Sequence, residues 1–282
     1  MSKKLVHTFL IFLLLIEIIC FLYLQTNMIK VKTQVIEDEQ LARIFDGLTV
    51  IHISDLHTNR IGTREKKLLN LIYQIDPDLV FMTGDFISNA TKIAPMVQVV
   101  NRIANDRLVI VIPGNKDHQV NGYKNDKLFI KDIFNNKDVV LLVNDSIKLT
   151  VQKSDKKDSI YIVGLDDNFT WNDDFFTAML NVPVNAPKIL LAHAPNIVEK
   201  INLQGINLIL SGHTHGGQIR LPFVGPLILN PVCNAKKKFV SGLYIEDGAK
   251  LYVNRGIGTS VVPLRMFCRP EITLFNFVTR NK

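Results

Sequence analysis

Apolar positions fall along this chain in distinct patterns. From Leu5 to Leu24 (LVHTFLIFLLLIEIICFLYL) they run almost unbroken for 20 residues, which at about 1.5 Å per residue spans the roughly 30 Å hydrocarbon core of a bilayer. Ile29 to Val35 (IKVKTQV) alternates apolar and polar and predicts an edge strand, followed by a charged connector, Glu37-Asp38-Glu39-Gln40. From Leu48 onward short apolar runs predict strands over 48–53, 79–83, 108–112, 139–143, 147–151, 159–164, 188–192, 207–211, 250–254 and 271–277. Helical spacing occurs near 64–75, 92–104 and 126–136, and Pro195-Asn196 opens another helix. Short apolar strands separated by helices predict an α/β fold with covered sheets. No repeat or Pro/Gly/Ser linker divides the chain after the first span, so one domain over 30–282 is expected behind an N-terminal segment, 1–29.

That segment has two readings. A cleaved signal peptide has a shorter apolar core and a small-residue cleavage site; here no Ala or Gly occurs before Ala42. An uncleaved single-span membrane anchor fits better, although Glu17 is costly at that depth unless it is protonated, partnered or near an interface. Lys3 and Lys4 precede the span and Lys30, Lys32 and Arg43 follow it, so the positive-inside rule leaves the side of the membrane open.

Composition narrows the class. The chain has 282 residues with 47% hydrophobic and 21% charged content, which excludes a disordered protein. Three cysteines, one of them Cys20 in the apolar run, exclude a disulfide scaffold; only Cys233 and Cys268 are left to pair, and nothing requires them to. The net charge of +7 suits anionic partners, either phosphorylated metabolites or lipid headgroups. No basic block of nucleic-acid-binding type occurs, since Lys236-Lys237-Lys238 reads as a solvated loop.

The chemistry lies at the strand ends. The first strand runs into Asp55-Leu56-His57, the next into Gly84-Asp85, then Gly114-Asn115, His193, and Gly212-His213-Thr214-His215. Carboxyl edges of strands are where α/β folds build ligand sites, and a residue without Cβ lets a ligand or backbone approach closely. One Gly-Asp or His-Thr-His alone means little; five in order, each closing an apolar strand, mean a site. Oxygen and imidazole donors without thiolate suit manganese, iron or zinc, with magnesium also compatible. An acid flanked by two donor sets fits a pair of divalent cations about 3.5–4 Å apart. The remaining histidines read differently: His7 lies in the apolar run, and His52 is a packed mid-strand residue.

These blocks, in this order, resemble those of the calcineurin-like metallophosphoesterases. FDGLTVIHISDLH (45–57), LLAHAPN (190–196), SGHTHGGQI (211–219) and VNRGIGTSVVPLRMFCRPE (253–271) are similar to segments of its membrane-associated bacterial branch. The resemblance implies a four-layer αββα sandwich behind a transmembrane helix, with two divalent metal ions at one sheet edge. It implies that Asp55, His57, Asp85 and His215 hold one metal, and that a bridging Asp85 with Asn115, His193 and His213 holds the other. It also implies hydrolysis of a phosphodiester or pyrophosphate by a two-metal mechanism, on a small-molecule or lipid-linked substrate.

One block departs from the family pattern of Gly-Asn-His followed by Asp or Glu. Here it reads Gly114-Asn115-Lys116-Asp117-His118. Lys116 brings charge to a phosphate, but an ordinary lysine is a poor proton donor beside an imidazole; alternatively His118 turns inward in place of the usual histidine. Asn115 would assist at the phosphoryl oxygens. Arg255 and Arg265 suit either phosphate binding or structural ion pairs, and the apolar stretch from Leu221 to Leu229 is a candidate for acyl chains or for a covering loop. Alternatives to a general membrane phosphoesterase are a UDP-2,3-diacylglucosamine pyrophosphatase of lipid A synthesis and a weakly active or inactive metal-binding membrane protein. A nuclease is disfavoured, and no nucleic-acid partner is expected.

Overall fold

A computed structural model of the chain describes residues 3–88, 93–119, 136–153, 156–226, 238–260 and 262–279. Helix α1 (Lys3–Gln25) carries the long apolar run, and its side chains are exposed up to Gln25 except for half-buried Val6 and Leu22. With mean hydropathy 2.7 over its best window, it is long and apolar enough to cross a membrane. A turn of three residues past the helix, closed by Thr26, Asn27 and Met28 amides donating to Tyr23, Leu24 and Gln25 carbonyls, leads into strand β1 (Lys30–Glu37).

Two six-stranded sheets follow. The first has the order β1–β14–β2–β3–β4–β5, with β2 (Val50–Ile53), β3 (Leu79–Thr83), β4 (Leu108–Ile112), β5 (Val139–Leu141) and β14 (Glu271–Val278). β2 to β5 run parallel, and β14 is antiparallel to β2. The second sheet has the order β12–β13–β9–β8–β7–β6, built from β6 (Asp145–Lys153), β7 (Lys156–Gly164), β8 (Lys188–Leu191), β9 (Leu208–Ser211), β12 (Gly242–Glu246) and β13 (Ala249–Val253). A short hairpin, β10 (Arg220–Leu221) and β11 (Gly225–Pro226), stands outside both.

Alternation along the central strands explains the layering. Phe81, Ile110, Ile112, Ile189, Leu191, Leu208 and Leu210 point between the sheets. Their neighbours Val80, Met82, Val109 and Val111 pack on helices α3 (Thr63–Ile75) and α4 (Ala94–Ile103). Leu190, Ile209 and Leu251 face the other way, onto the one-turn helix Phe175–Met179 and the 3₁₀ segment Pro195–Glu199. The result is the expected αββα order, with a thin outer layer on the second sheet.

The structure differs from the sequence reading in places. The expected connector at 37–40 is the end of β1 and the start of helix α2 (Glu39–Phe45), whose cap is Asp38. Leu41, Ile44 and Phe45, spaced for one helical face, bury it. The segment opened by Pro195 is 3₁₀, not α-helical. Strand β12 was not anticipated. The stretch 126–136 lies almost wholly outside the described residues, as do Cys233, Lys236, Lys237 and the end of the Leu221–Leu229 stretch; Cys268 is buried with a free thiol.

Asp38 ties helix to sheet: it accepts from the Leu41 amide at 3.1 Å and pairs with Lys250 of β13, also at 3.1 Å. Asp38→Ala should lower stability by about 1 kcal/mol, whereas Asp38→Asn, which can still cap, should recover most of it. Thermal unfolding of the detergent-solubilised chain reads the difference. Equal losses in the two variants would show that the ion pair, rather than the cap, carries the effect.

Candidate metal centre

The parallel strands of both sheets end at one common edge. Hydrogen bonds continue past the strands into the loops: the Asp55 amide donates to Gly84 O at 3.0 Å, His57 to Asp85 O at 3.0 Å, and Gly212 to His193 O at 2.9 Å. The Ile257 and Gly258 amides close the first loop from the side, onto Ser54 O and Asp55 O. Close approach is why glycine precedes several of these side chains. A Cβ on Gly84 would meet the Gly114 amide nitrogen at 2.5 Å, and one on Gly212 would overlap Ser54 Oγ and Asp55 Oδ2.

Five of the residues reach the edge with left-handed backbone: Asp55 (φ 51°), His57 (44°), Asp85 (55°), His213 (67°) and His215 (51°). That conformation is uncommon for residues with a Cβ, costs on the order of 1 kcal/mol each, and clusters at functional sites. Here it bends the chain sharply after each strand, so that consecutive strand ends aim their side chains at the same point.

The side chains converge in two groups that share Asp85. Donor atoms of Asp55, His57, Asp85 and His215 all lie within 4.8 Å of one another, as do those of Asp85, His193 and His213. Asp85 Oδ2 is 3.3 Å from His57 Nε2 and its Oδ1 is 3.5 Å from His193 Nε2. Asp55 Oδ1 lies 3.4 Å from His215 Nε2, His57 and His215 present Nε2 to each other at 3.1 Å, and Asn115 Oδ1 is 3.2 Å from His193 Nε2. All seven side chains are buried.

These residues fit divalent cations by their donor chemistry. His57 Nδ1 faces Ile87 O at 3.2 Å and His193 Nδ1 faces Thr83 O at 2.8 Å. A carbonyl only accepts, so both rings carry a proton on Nδ1 and turn Nε2 towards the carboxylate of Asp85. Neutral imidazole and carboxylate facing each other are two acceptors, and a cation or an extra proton must lie between them. Among the described residues, His213 Nε2 and His215 Nδ1 are buried without a hydrogen-bond partner.

Electrostatics point the same way. Burial pushes Asp85 up to about 8, with Asp55 and Asp117 adding to it against the opposing pull of His193. Burial pushes His57 down to about 3, and Arg64 and His193 add to that. His213 and His215 are held well below the usual imidazole range by burial and their neighbouring imidazoles. His193 goes the other way, to about 9, because Asp85, Asp55 and Asp167 outweigh its burial. Each group is costly to bury alone, and divalent cations reverse that logic.

The remaining predicted positions sit around this cluster. The Lys116 amide donates to Asp85 Oδ1 at 2.8 Å, while its ammonium reaches outward to Gln119 Oε1 at 3.5 Å. His118 Nε2 pairs with Asp166 Oδ1 at 2.7 Å. Arg255 contacts Glu271 at 3.5 Å. Arg265 takes neither expected role. Fully buried, its guanidinium donates to the carbonyls of His215, Arg255, Gly256, Gly258 and Cys268, stitching the loop after β13 to the His213–His215 loop.

Three supporting residues were missed in the sequence. Asp117 accepts from the Phe86 and Gly114 amides at 2.9 and 2.8 Å, joining the Asp85 and Asn115 loops. Asn168 exchanges hydrogen bonds with the Ala194 backbone at 2.8 Å in both directions, fixing the turn that carries His193. Phe169 lays its ring on His213 at 4.8 Å. The signal was present: β7 also ends in polar residues, Gly164-Leu165-Asp166-Asp167-Asn168, and the strand-end rule applies to it.

The calcineurin-like phosphoesterase family matches residues 48–217 of this chain. An uncharacterised metallophosphoesterase, YkuE of Bacillus subtilis, is 32% identical over 92% of this chain and 89% of its own. Phosphodiesterase YaeI of Escherichia coli is 27% identical over 81% of this chain and 82% of its own. The UDP-2,3-diacylglucosamine pyrophosphatase LpxG of Chlamydia muridarum is 27% identical over 81% and 83%.

Arg265→Met should leave several buried carbonyls unsatisfied and destabilise the chain on the order of 3 kcal/mol. Arg265→Lys should recover little, because an ammonium cannot reproduce the planar fork. Thermal unfolding and metal content of the two variants test this. A lysine variant that melts and loads metal like the parent would assign the residue a charge role instead.

Proposed function

The chain belongs to the calcineurin-like phosphoesterase family, and we propose that it is a membrane-anchored enzyme with a dinuclear centre that hydrolyses a phosphodiester or pyrophosphate. The sharing of Asp85 between the two donor groups supports this most directly. In this reading Asp55, His57, Asp85 and His215 hold one cation, and Asp85, Asn115, His193 and His213 hold the second. When bound, such a pair supplies Lewis acidity to a phosphoryl oxygen and makes water nucleophilic at neutral pH. Manganese, iron and zinc suit the donors best.

The protein's own groups divide the remaining work. Lys116, whose amide is fixed on Asp85, offers its ammonium as a charge for a phosphate oxygen at the mouth of the site. His118 is the proton donor to the leaving group. Burial alone would lower its pKa, but the hydrogen bond and charge of Asp166 outweigh that and raise it above the usual imidazole value, so the ring holds its proton more firmly than a free imidazole does. The departure at Lys116 then moves the acid from the usual position to His118 rather than removing it.

Residues 1–29 serve as the anchor and 30–282 as the catalytic domain in this reading. A substrate carried at a membrane surface accords with α1 and with the pyrophosphatase activity in the name of one relative.

The full chain in detergent should hydrolyse bis(p-nitrophenyl) phosphate when manganese is added. Asp85→Ala should abolish turnover and lose both metals by elemental analysis, whereas His57→Ala should keep about one. Metal-loaded parent protein that turns over no phosphodiester or pyrophosphate would favour the binding-protein alternative.

His118→Gln should matter in proportion to leaving-group basicity. The expected loss is small with nitrophenolate, which leaves without a proton, and about 100-fold or more with an alkoxide. An equal loss on both substrates would remove His118 from the acid role.

A further inference from the structure

Helix α1 does not simply tether the domain. Its last turn is docked: Gln25 and Thr26 are buried, the Arg265 amide donates to Leu22 O at 3.3 Å, and the Phe267 amide donates to Gln25 Oε1 at 3.1 Å. With four residues between the helix and β1, the point where the apolar run ends is fixed against the domain surface. A cavity of about 360 Å³ opens at this junction, within the roughly 300–1,000 Å³ of ligand clefts. Phe21, Gln25, Met28 and Phe267 line it together with the basic side chains of Lys30, Arg255 and Arg269.

Its position and chemistry agree. Phe21 belongs to the span, while Met28 and Lys30 lie just beyond its end, so in a bilayer the cavity sits at headgroup depth, where aromatic and basic side chains collect. Among the described residues no carboxylate lines it; buried Glu271 lies 3.5 Å from Arg255 and also accepts from Tyr252 and Thr273. Phe267 is 54% exposed with φ 49°, and Phe223 at the tip of the adjoining hairpin is fully exposed with φ 65°. Left-handed backbone is a genuine outlier for bulky side chains. Holding two phenylalanines that way, in the open, is a cost that insertion into a lipid interface would offset. The hairpin and the Phe267 loop form one unit, since the Arg220 amide donates to Met266 O at 2.9 Å.

We propose that the cavity between the end of α1 and the Arg265–Arg269 loop binds the phosphate of an anionic phospholipid, held by Lys30, Arg255 and Arg269, with Phe267 and Phe223 in the interface. The site lies beside the metal centre. Arg255 lines the cavity, and its stem packs under Gly216, where a Cβ would come within 2.9 Å of Arg255 Cγ; Gly216 follows His215. A bound headgroup would therefore set the height of the metal centre above the bilayer. The proposal rests on the membrane reading of α1 and not on hydrolysis, so alkaline extraction of membranes checks its premise separately from any assay of turnover.

The test uses full-length protein in neutral detergent, titrated with phosphatidylglycerol, phosphatidylcholine or inorganic phosphate, with bound lipid counted by native mass spectrometry. The parent should retain one phosphatidylglycerol in preference to phosphatidylcholine. The double variant Lys30→Gln, Arg269→Gln changes two exposed side chains and should still fold, as its unfolding temperature will show; it should retain phosphatidylglycerol roughly tenfold less. Unchanged retention in the variant, or equal retention of the two lipids by the parent, overturns the proposal. Displacement of the lipid by inorganic phosphate at equal concentration would also overturn it, as the signature of a free-phosphate site.

Discussion

The packing of the two sheets against each other is the constraint on which the centre depends. Asp55, His57, Asp85 and Asn115 issue from the first sheet, and His193, His213 and His215 from the second. Asp85 can touch both histidine sets only because Phe81, Ile110 and Ile112 on one side and Ile189, Leu191, Leu208 and Leu210 on the other fix the spacing of the strands behind them. Close-packed interiors transmit a change of even one methylene. A cavity in this apolar layer would therefore be felt as a misplaced ligand as well as a loss of stability.

Nothing in the apolar layer favours the edge itself. Five left-handed residues, facing acceptors and buried carboxylates raise the free energy of the site. The loops hold it together against that. His213 N–H donates to both oxygens of Asp55 at 3.1 and 2.9 Å, Asp117 joins two loops, and Arg265 joins two others. The division is consistent: the core supplies stability and spacing, while backbone hydrogen bonds and one buried guanidinium supply aim. Strain concentrated where ligands meet is what a preorganised site looks like.

This division also explains what could be read from the sequence. Short apolar runs are a local signal, so the central strands fall close to their expected bounds, and a polar residue at the end of each run marks the edge. All seven donor residues expected from those runs come together in space. What escaped depends on distant partners. Arg265 looks like any arginine until the chain folds and surrounds it with carbonyls from residues 215 to 268. Asp117 sits in a block read for its neighbours Lys116 and His118. Helix α2 escaped because the charges of 37–40 masked a local signal, the Asp38 cap and the Leu41, Ile44, Phe45 stripe.

Arg265 joins two halves of the molecule that the sequence presents as separate. Its amide bonds the last turn of α1, and its guanidinium bonds the loop carrying His215. One residue thus connects the apolar helix to a histidine of the candidate metal site with no flexible linker between them. A tethered enzyme with a free linker samples many orientations over its membrane. In the membrane-anchored reading of α1, a chain joined in this way holds one, with Phe267 and Arg269 on the side where the helix ends. On that reading, hydrogen bonds through Arg265 link the helix end to the His215 loop, so the way the helix leaves a bilayer would orient the candidate site.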